Sequence, residues 1–202
     1  MSSREDRRTY LTPVEPSSVE LREKGSRFLG ILLPARSEDD VKRLVEEVRI
    51  KYRDATHHCW ASRLGHPPRE RSADAGEPAG TAGAPILQVL AGRDLSDVLA
   101  VVVRWFGGTK LGKGGLARAY SGATSGAVDA ARFHERFPTA RLRLEMPYDR
   151  VGAVKRLVQP PEVELESETY GESARVELRV AEWREQEVRA ALADLGIAAE
   201  SH

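Results

Sequence analysis

A glycine-rich, basic stretch at residues 104–118 contains the residue types best suited to chemistry in this sequence. It follows an apolar run at residues 98–103 and holds five glycines, two lysines and two arginines. Glycine lets backbone N–H groups converge on an anion, and the N-terminus of a following helix adds about half a positive charge. We therefore predict a binding site for phosphate, of a nucleic-acid backbone or a small molecule, formed by Arg104, Gly107, Gly108, Thr109, Lys110, Gly112, Lys113, Gly114, Gly115 and Arg118.

Two familiar phosphate motifs nearly match this stretch, but neither is complete. A P-loop ending at Gly112-Lys113 would need Ser or Thr next, to hold magnesium, and Gly114 stands there. A dinucleotide fingerprint would need a following strand with a terminal acid, which the polar residues 132–138 do not offer. The glycines could instead serve only a tight strand-to-helix turn. The cations beside them favour binding, and Trp105 or Phe106 could offer a face for a stacked base.

A second group of polar residues comes from two segments, at residues 54–60 and 74–83. On a strand, His57 and Cys59 share one face. The later segment precedes a helix, so it is either a second anion-binding turn or a loop that caps that helix. No ligand pair has a recognised zinc spacing and no nucleophile trio stands out, so we predict no metal, no cofactor and no catalytic set. The predicted pocket lining is Asp54, His57, Asp74, Gly76, Glu77, Gly80, Thr81 and Gly83.

Hydrophobic periodicity predicts an α+β chain around these segments. A hairpin is expected about Lys24-Gly25, and Ser37 with Asp40 forms a capping pair for the first helix. Residues 57–64 and 98–106 are expected to be strands, the second of them central, and residues 69–83 a long polar loop. Helices are expected from Pro85 and at residues 116–133, the latter with a stripe of small residues that lets it approach a sheet closely.

Three parts of the chain differ in character. Residues 1–16 are expected to be a mobile N-terminal segment, 17–136 the first domain and 137–202 the second. The second domain shows the order β-α-β-β-α of a ferredoxin-like sandwich, in which a last strand is not evident. Residues 1–136 carry 22 Lys+Arg against 18 Asp+Glu, a net +4, while residues 137–202 carry 9 against 13, a net −4. This split permits a nucleic-acid surface on the first domain.

Composition also bounds the setting of the protein. The longest apolar run is far shorter than the roughly 20 residues that span a bilayer, so no membrane segment is expected. The charged N-terminus has no signal core, and a single cysteine excludes an intrachain disulfide, which together favour the cytoplasm. The chain has no Asn and more Arg than Lys, which is typical of a heat-adapted source or of a GC-rich genome.

Three longer motifs resemble the signature of the IMPACT family and cover about residues 15–135. They are Asp-Ala-Thr-His-His-Cys from Asp54, Asp-x-Gly-Glu-Pro-x-Gly-Thr-Ala-Gly from Asp74, and Val-Val-Val-Arg-Trp-Phe-Gly-Gly-Thr-Lys-Leu-Gly-x-Gly-Gly-Leu-x-Arg-Ala-Tyr from Val101. The resemblance implies a ribosomal-protein or translation-factor type of N-terminal domain, a mixed sheet with helices on one face, followed by the ferredoxin-like domain of bacterial members. The family usually has an acid where Ala75 stands and often a serine where Ala79 stands, which weakens any scheme that needs paired acids.

The resemblance also implies a role near translation. Eukaryotic members restrain an amino-acid-starvation kinase pathway by competing for its activator protein, and nucleic-acid or ribosome binding is the usual suggestion for bacterial members. We expect a non-enzymatic regulator that binds RNA, the ribosome or a translation-related protein through the glycine-rich loop. Two alternatives stay open. One is an enzyme that acts on a small phosphorylated or nucleotide substrate between residues 74–83 and 107–115, with Glu77 or His57 as acid or base; the other is a protein-docking regulator of a stress response.

Overall fold

The computed structural model describes residues 9–201, which form two compact units that meet in sequence at Arg136 and Phe137. The first unit, Tyr10–Arg136, contains seven strands and three helices. In chain order these are β1 (Tyr10–Pro13), β2 (Ser17–Glu23), β3 (Ser26–Pro34), α1 (Glu38–Lys51), β4 (His57–Leu64), β5 (Arg69–Ala73), α2 (Gly83–Gly92), β6 (Val98–Trp105), α3 (Gly112–Asp129) and β7 (Phe133–Arg136).

A five-stranded sheet in the order β2-β3-β6-β4-β5 forms the centre of the first unit. Every neighbouring pair of strands in it is antiparallel. Residues on both faces of β6 are buried, so this strand needs cover on both sides. α2 and α3 pack on one face of the sheet and α1 on the other. The predicted α+β class is confirmed, but the sheet is antiparallel where a mixed one was expected, and helices cover both faces where one was expected.

The local signals at α1 work as the sequence predicts. The Ser37 hydroxyl accepts a hydrogen bond from the Asp40 backbone N–H at 3.0 Å, which satisfies a donor left free in the first helical turn. Val41, Val45 and Val48 follow the helical period and are buried against the sheet. The hairpin about Lys24-Gly25 is also present, as the antiparallel pairing of β2 with β3.

Three expected boundaries are wrong, and long-range pairing explains each of them. The expected mobile segment includes β1, which pairs with β7, while the Tyr10 hydroxyl donates to Asp97 at 2.9 Å; residues 1–8 lie outside the described residues. The expected loop at residues 69–83 begins with β5, the edge strand that pairs with β4. The expected helix at residues 116–133 starts at Gly112 and ends at Asp129, because the residues from Phe133 pair with β1.

α3 approaches the sheet very closely, as its stripe of small residues predicts. A Cβ atom added to Gly30 of β3 would lie 2.1 Å from the Ala123 carbonyl oxygen of α3. On α3, a Cβ added to Gly126 would lie 3.0 Å from Val19 Cγ1 of β2. Gly30 therefore lets the helix and sheet backbones touch, whereas Gly126 makes room for the Val19 side chain.

The second unit starts at Phe137 and folds as a ferredoxin-like sandwich. Its elements are β8 (Thr139–Met146), a 3-10 turn (Tyr148–Arg150), α4 (Val151–Lys155), β9 (Val163–Tyr170), β10 (Ala174–Ala181), α5 (Glu182–Asp194) and β11 (Ala199–Ser201). The sheet has the order β11-β8-β10-β9, and the pairs are antiparallel. The last strand, β11, was not evident from the sequence pattern and is defined by its pairing with β8.

Candidate functional site

The glycine-rich loop between β6 and α3 is fixed at its base to the turn between β2 and β3. The Gly107 N–H donates to the Ser26 hydroxyl at 3.1 Å. A Cβ atom at Gly107 would lie 1.9 Å from the carbonyl carbon of Gly25, so only glycine fits there. Lys24 precedes Gly25, so its backbone lies next to the loop, and its side chain is exposed. Sequence reasoning did not include Lys24, because only the contact between Gly25 and Gly107 brings it near.

The N-terminus of α3 lacks the negative groups that usually stabilise a helix start. Its first turn contains no acidic residue and its N-cap, Leu111, makes no side-chain hydrogen bond. By contrast, α1 starts with three acidic residues and the Ser37 cap. The free N–H groups and the positive end of the α3 dipole are thus left without an anion from their own helix.

Three of the four predicted cations lie exposed on this surface. Lys110, Lys113 and Arg118 are exposed, and across residues 9–201 no ion pair involves any of them. Thr109 and the predicted glycines 107, 108, 112 and 114 are exposed as well, whereas Gly115 is half-buried. Gly108 and Gly112 have φ of +88° and +71°, with open space where a Cβ would stand. The surface therefore combines bare backbone with unpaired positive charge.

Arg104, the fourth predicted cation, is placed differently. Its side chain is buried, and its Nη1 donates to Glu77 Oε1 at 2.5 Å. Its Nη2 lies 3.4 Å from the Ser26 hydroxyl, and its Nε is a buried donor without a partner among the described residues. The exposed Phe106 ring lies 5.5 Å from the guanidinium carbon. Arg104 thus lies beneath the loop, in a buried ion pair, and not among its exposed cations.

The Arg104–Glu77 pair belongs to a buried polar network between the sheet and α3. The Tyr120 hydroxyl donates to Glu77 Oε1 at 2.8 Å, and the Cys59 thiol donates to the Asp74 carbonyl oxygen at 2.9 Å. Burial raises the pKa of Cys59 to about 12, and it also raises the pKa of Tyr120. Both groups therefore stay protonated and act as hydrogen-bond donors at neutral pH.

Sequence reasoning missed Tyr120 and Ser26 as members of this network. A usable signal existed for Tyr120, because it directly follows Ala119 of the small-residue stripe of α3, and a buried tyrosine hydroxyl normally requires a partner. The end of an apolar strand was a similar signal for Arg104, since a buried arginine is normally paired with an acid. No local signal marks Ser26, which is brought there by the β2–β3 turn.

The segment 74–83 is a structured turn that holds the start of α2. The Asp74 carboxylate accepts hydrogen bonds from the backbone N–H groups of Gly80, Ala82 and Gly83 at 2.8–2.9 Å. Burial raises the pKa of Asp74, but these three donors outweigh it, so the pKa lies below its usual range. The Thr81 hydroxyl donates to the Pro78 carbonyl at 2.6 Å. The donors of this turn are therefore already taken up by Asp74.

The predicted pocket residues are brought together only in part. His57 Nδ1 is 3.1 Å from the Ala75 carbonyl, its Nε2 is 3.9 Å from Glu77 Oε1, and a Cβ on Gly76 would touch its ring. Asp54 lies apart, because its carboxylate accepts from Trp105 Nε1 at 2.8 Å, and Trp105 packs with the α1 core. Within residues 9–201, no three His, Cys, Asp or Glu side chains converge in a way that could hold a metal ion.

The chain is similar to known proteins over most of its length. The Impact N-terminal domain family matches residues 24–128. The IMPACT family member YigZ of Escherichia coli (strain K12) is 35% identical over 176 residues, which cover 86% of this chain and 85% of YigZ. The Thermus thermophilus protein described as "IMPACT family member in pol 5'region" is 36% identical over 155 residues, which cover 77% of this chain and 84% of that protein.

The likeness extends to a solved structure. A crystal structure described as that of a hypothetical protein matches with a TM-score of 0.73 and 30% identity, and the match covers 96% of this chain and 97% of that one. The matched family domain includes β3 to β6 and nearly all of α3, and therefore both the glycine-rich loop and the buried network. On these grounds, the chain belongs to the IMPACT family.

Proposed function

We propose that the protein is a non-enzymatic, translation-associated regulator that binds the phosphate backbone of RNA at the glycine-rich loop. The observation that carries this proposal is the uncompensated positive charge where α3 begins. Lys110, Lys113 and Arg118 surround a helix N-terminus that has no acid in its first turn. An external anion would supply the negative charge that this helix does not provide for itself.

The backbone of the loop supports close approach by a ligand. Gly108 and Gly112 adopt positive φ with no atom within 4 Å of their missing Cβ positions. Gly114 faces only the Arg118 guanidinium, 3.5 Å from where a Cβ would lie. A phosphate can therefore approach the N–H groups without displacing a side chain. The contact of Gly107 with Gly25 holds the base of the loop in place when the phosphate binds.

Phe106 favours single-stranded RNA over a compact phosphate. Its ring is 48% exposed at the end of β6, directly before the first glycine. An exposed aromatic ring beside cations is the usual platform on which an unpaired base stacks. Trp105 is not available in this way, because Arg27 lies 3.7 Å over its ring and Asp54 binds its Nε1.

The buried network favours binding over catalysis. A general base must reach the proton that it removes. The Glu77 side chain is only 3% exposed, and its Oε1 accepts from both Arg104 and Tyr120. A role for Glu77 in holding the loop from below fits these contacts better than a role as acid or base.

A translation-associated setting is proposed from family membership. The sequence motifs imply a role near translation, and a protein with such a role encounters single-stranded RNA. No helix within residues 9–201 is long and apolar enough to cross a membrane. We propose the cytoplasm as the location, where RNA and ribosomes are present.

The test is binding of a fluorescent single-stranded RNA at several salt concentrations. Lys110→Ala with Lys113→Ala removes two predicted phosphate contacts, and Lys42→Ala with Lys51→Ala removes the same charge from α1. Each phosphate contact to a single strand adds about 0.7 to the slope of log K against log salt. We expect the loop variant to bind more weakly with a slope lower by about 1.4, and the α1 variant to match the wild type. Equal slopes in all three proteins, or no binding by the wild type at low salt, would contradict RNA binding at this loop.

A further inference from the structure

The sheet face that carries α1 is only partly covered. Five strands about 4.8 Å apart extend over about 19 Å, whereas a helix with its side chains is about 10–12 Å wide. α1 leaves a groove of about 290 Å³ between itself and the strands β4 and β5. β5 is the edge strand of the sheet, so one side of this groove faces solvent.

The floor of the groove is apolar and contains a tryptophan. Val41 and Val45 of α1 form one wall, and Trp60 and Leu64 of β4 form most of the floor, with Ser62 between them. Trp60 is only half-buried, unlike the fully buried Cys59 and Ala61 beside it. A partly exposed tryptophan in a concave apolar site is typical of the residues that dominate binding to a protein partner.

The rim of the groove is basic. Among the described residues, four cations line it, Lys42, Arg49, Arg69 and Arg71, against the single acid Glu38, which pairs with Arg71 at 3.1 Å. Lys42 and Arg49 also pair with exposed acids of α1, at 3.1 and 3.8 Å, but neither of those acids lines the groove. Such exposed pairs contribute little and are readily exchanged for another carboxylate.

A second groove on the other side of α1 provides an internal comparison. It has about 320 Å³ and an apolar floor that includes Ile31, Leu33 and Leu44. Within residues 9–201, its charged lining consists of one acid, Glu47, and one cation, Lys51. The two grooves thus share size and apolar floor and differ in charge, so an acidic partner would select only the first.

We propose that the groove between α1 and β4–β5 docks a short acidic segment of another protein, which places apolar side chains on Trp60 and its carboxylates on the basic rim. An apolar floor favours peptide side chains over a nucleic-acid backbone, because phosphate gains nothing from burial against Val41 and Val45. The groove lies on the sheet face opposite the Glu77 network, so docking here does not depend on RNA binding at the loop.

The test is selection from a display library of random 12-residue peptides on the immobilised full chain. Arg49→Glu changes the rim of the basic groove, and Lys51→Glu is the matched control, since it makes a similar charge change in the same last turn of α1 but lines the other groove. We expect enriched peptides that combine apolar residues with several Asp or Glu. Their affinity should fall at least tenfold in Arg49→Glu and stay within twofold in Lys51→Glu.

Trp60→Phe adds a readout that does not depend on charge. It keeps an aromatic side chain in the floor, and we expect it to weaken the same peptides while circular dichroism stays unchanged. Enrichment of neutral or basic peptides, of none, or of acidic peptides that bind Arg49→Glu as well as the wild type would overturn acidic docking here. If the wild type dimerises and Arg49→Glu abolishes the dimer, the groove binds a second copy of the chain. If Arg49→Glu abolishes RNA binding, the groove binds nucleic acid. Either result would also overturn the proposed docking of an acidic segment.

Discussion

Replacing Glu77 by Gln should destabilise the first unit strongly, because it leaves the Arg104 charge buried without a counter-charge. Gln keeps the shape of Glu, and its amide oxygen can still accept from Arg104 Nη1 and the Tyr120 hydroxyl. The substitution therefore removes charge and little else. The Arg104 side chain is 6% exposed and the Glu77 side chain is 3% exposed, so water cannot replace the lost carboxylate.

The expected magnitude follows from these surroundings. Removing one partner of a buried ion pair costs about 3–5 kcal/mol. Gln leaves the Arg104 Nη1 donor an acceptor, and the contacts of the guanidinium carbon with the Phe28 ring at 5.3 Å and the Phe106 ring at 5.5 Å do not depend on Glu77. We therefore expect the lower end of the range, a loss of about 3 kcal/mol in the free energy of unfolding.

The assay is urea unfolding of the full chain at pH 7, followed by tryptophan fluorescence in a Trp183→Phe background, so that the signal comes from Trp60 and Trp105 of the first unit. Glu47→Gln is the matched control. Glu47 pairs with Arg43 at 2.7 Å, but both side chains are 56% exposed, so the loss of this pair should cost far less than the loss of the buried one. Adding Arg104→Met to Glu77→Gln should restore part of the lost stability, since the unpaired charge is then gone. A loss for Glu77→Gln no larger than that for Glu47→Gln, or a double variant less stable than the single one, would refute this account.

Two further predictions concern the turns that hold the candidate site. Asp74→Asn should cost about 1 kcal/mol at neutral pH, because the carboxylate holds three backbone donors at the start of α2. The folded-state pKa of Asp74 lies below the ordinary value of 3.8, so its contribution is full above that pH and disappears as the pH falls through the folded pKa. Urea unfolding at a series of pH values should show the wild type and Asp74→Asn converging in acid, and a constant gap would contradict this origin. Gly107→Ala should cost about 1–3 kcal/mol, because its Cβ would lie 1.9 Å from the Gly25 carbonyl carbon. Gly114→Ala, whose nearest neighbour would be a flexible arginine tip at 3.5 Å, should be neutral or stabilising. Urea unfolding measures both variants, and equal effects at the two glycines would argue against backbone contact as the cause.

Much of the first unit could be predicted from local sequence, because its signals act over a few residues. The cap of α1 at Ser37, the hairpin about Lys24-Gly25 and the central apolar strand all depend on neighbours in the chain. The α+β class and the family were predicted for the same reason, since periodicity and the three motifs are properties of the chain alone. The glycine-rich stretch was visible in the sequence as a candidate phosphate site, and RNA binding there remains a proposal.

Pairing between distant residues decided the rest. Short strands such as β1, β5, β7 and β11 carry little pattern of their own and exist because a partner strand supplies their hydrogen bonds. Both faces of β6 are buried, which the strand itself suggested, but only the packing of α1 opposite α2 and α3 showed that helices cover both. The burial of Arg104 also depends on a residue far away in the chain. The sequence determined that a cation stands at the start of the glycine-rich stretch, and the folded chain brought Glu77, 27 residues away, to meet it, so that this charge is neutralised within the core while Lys110, Lys113 and Arg118 remain exposed.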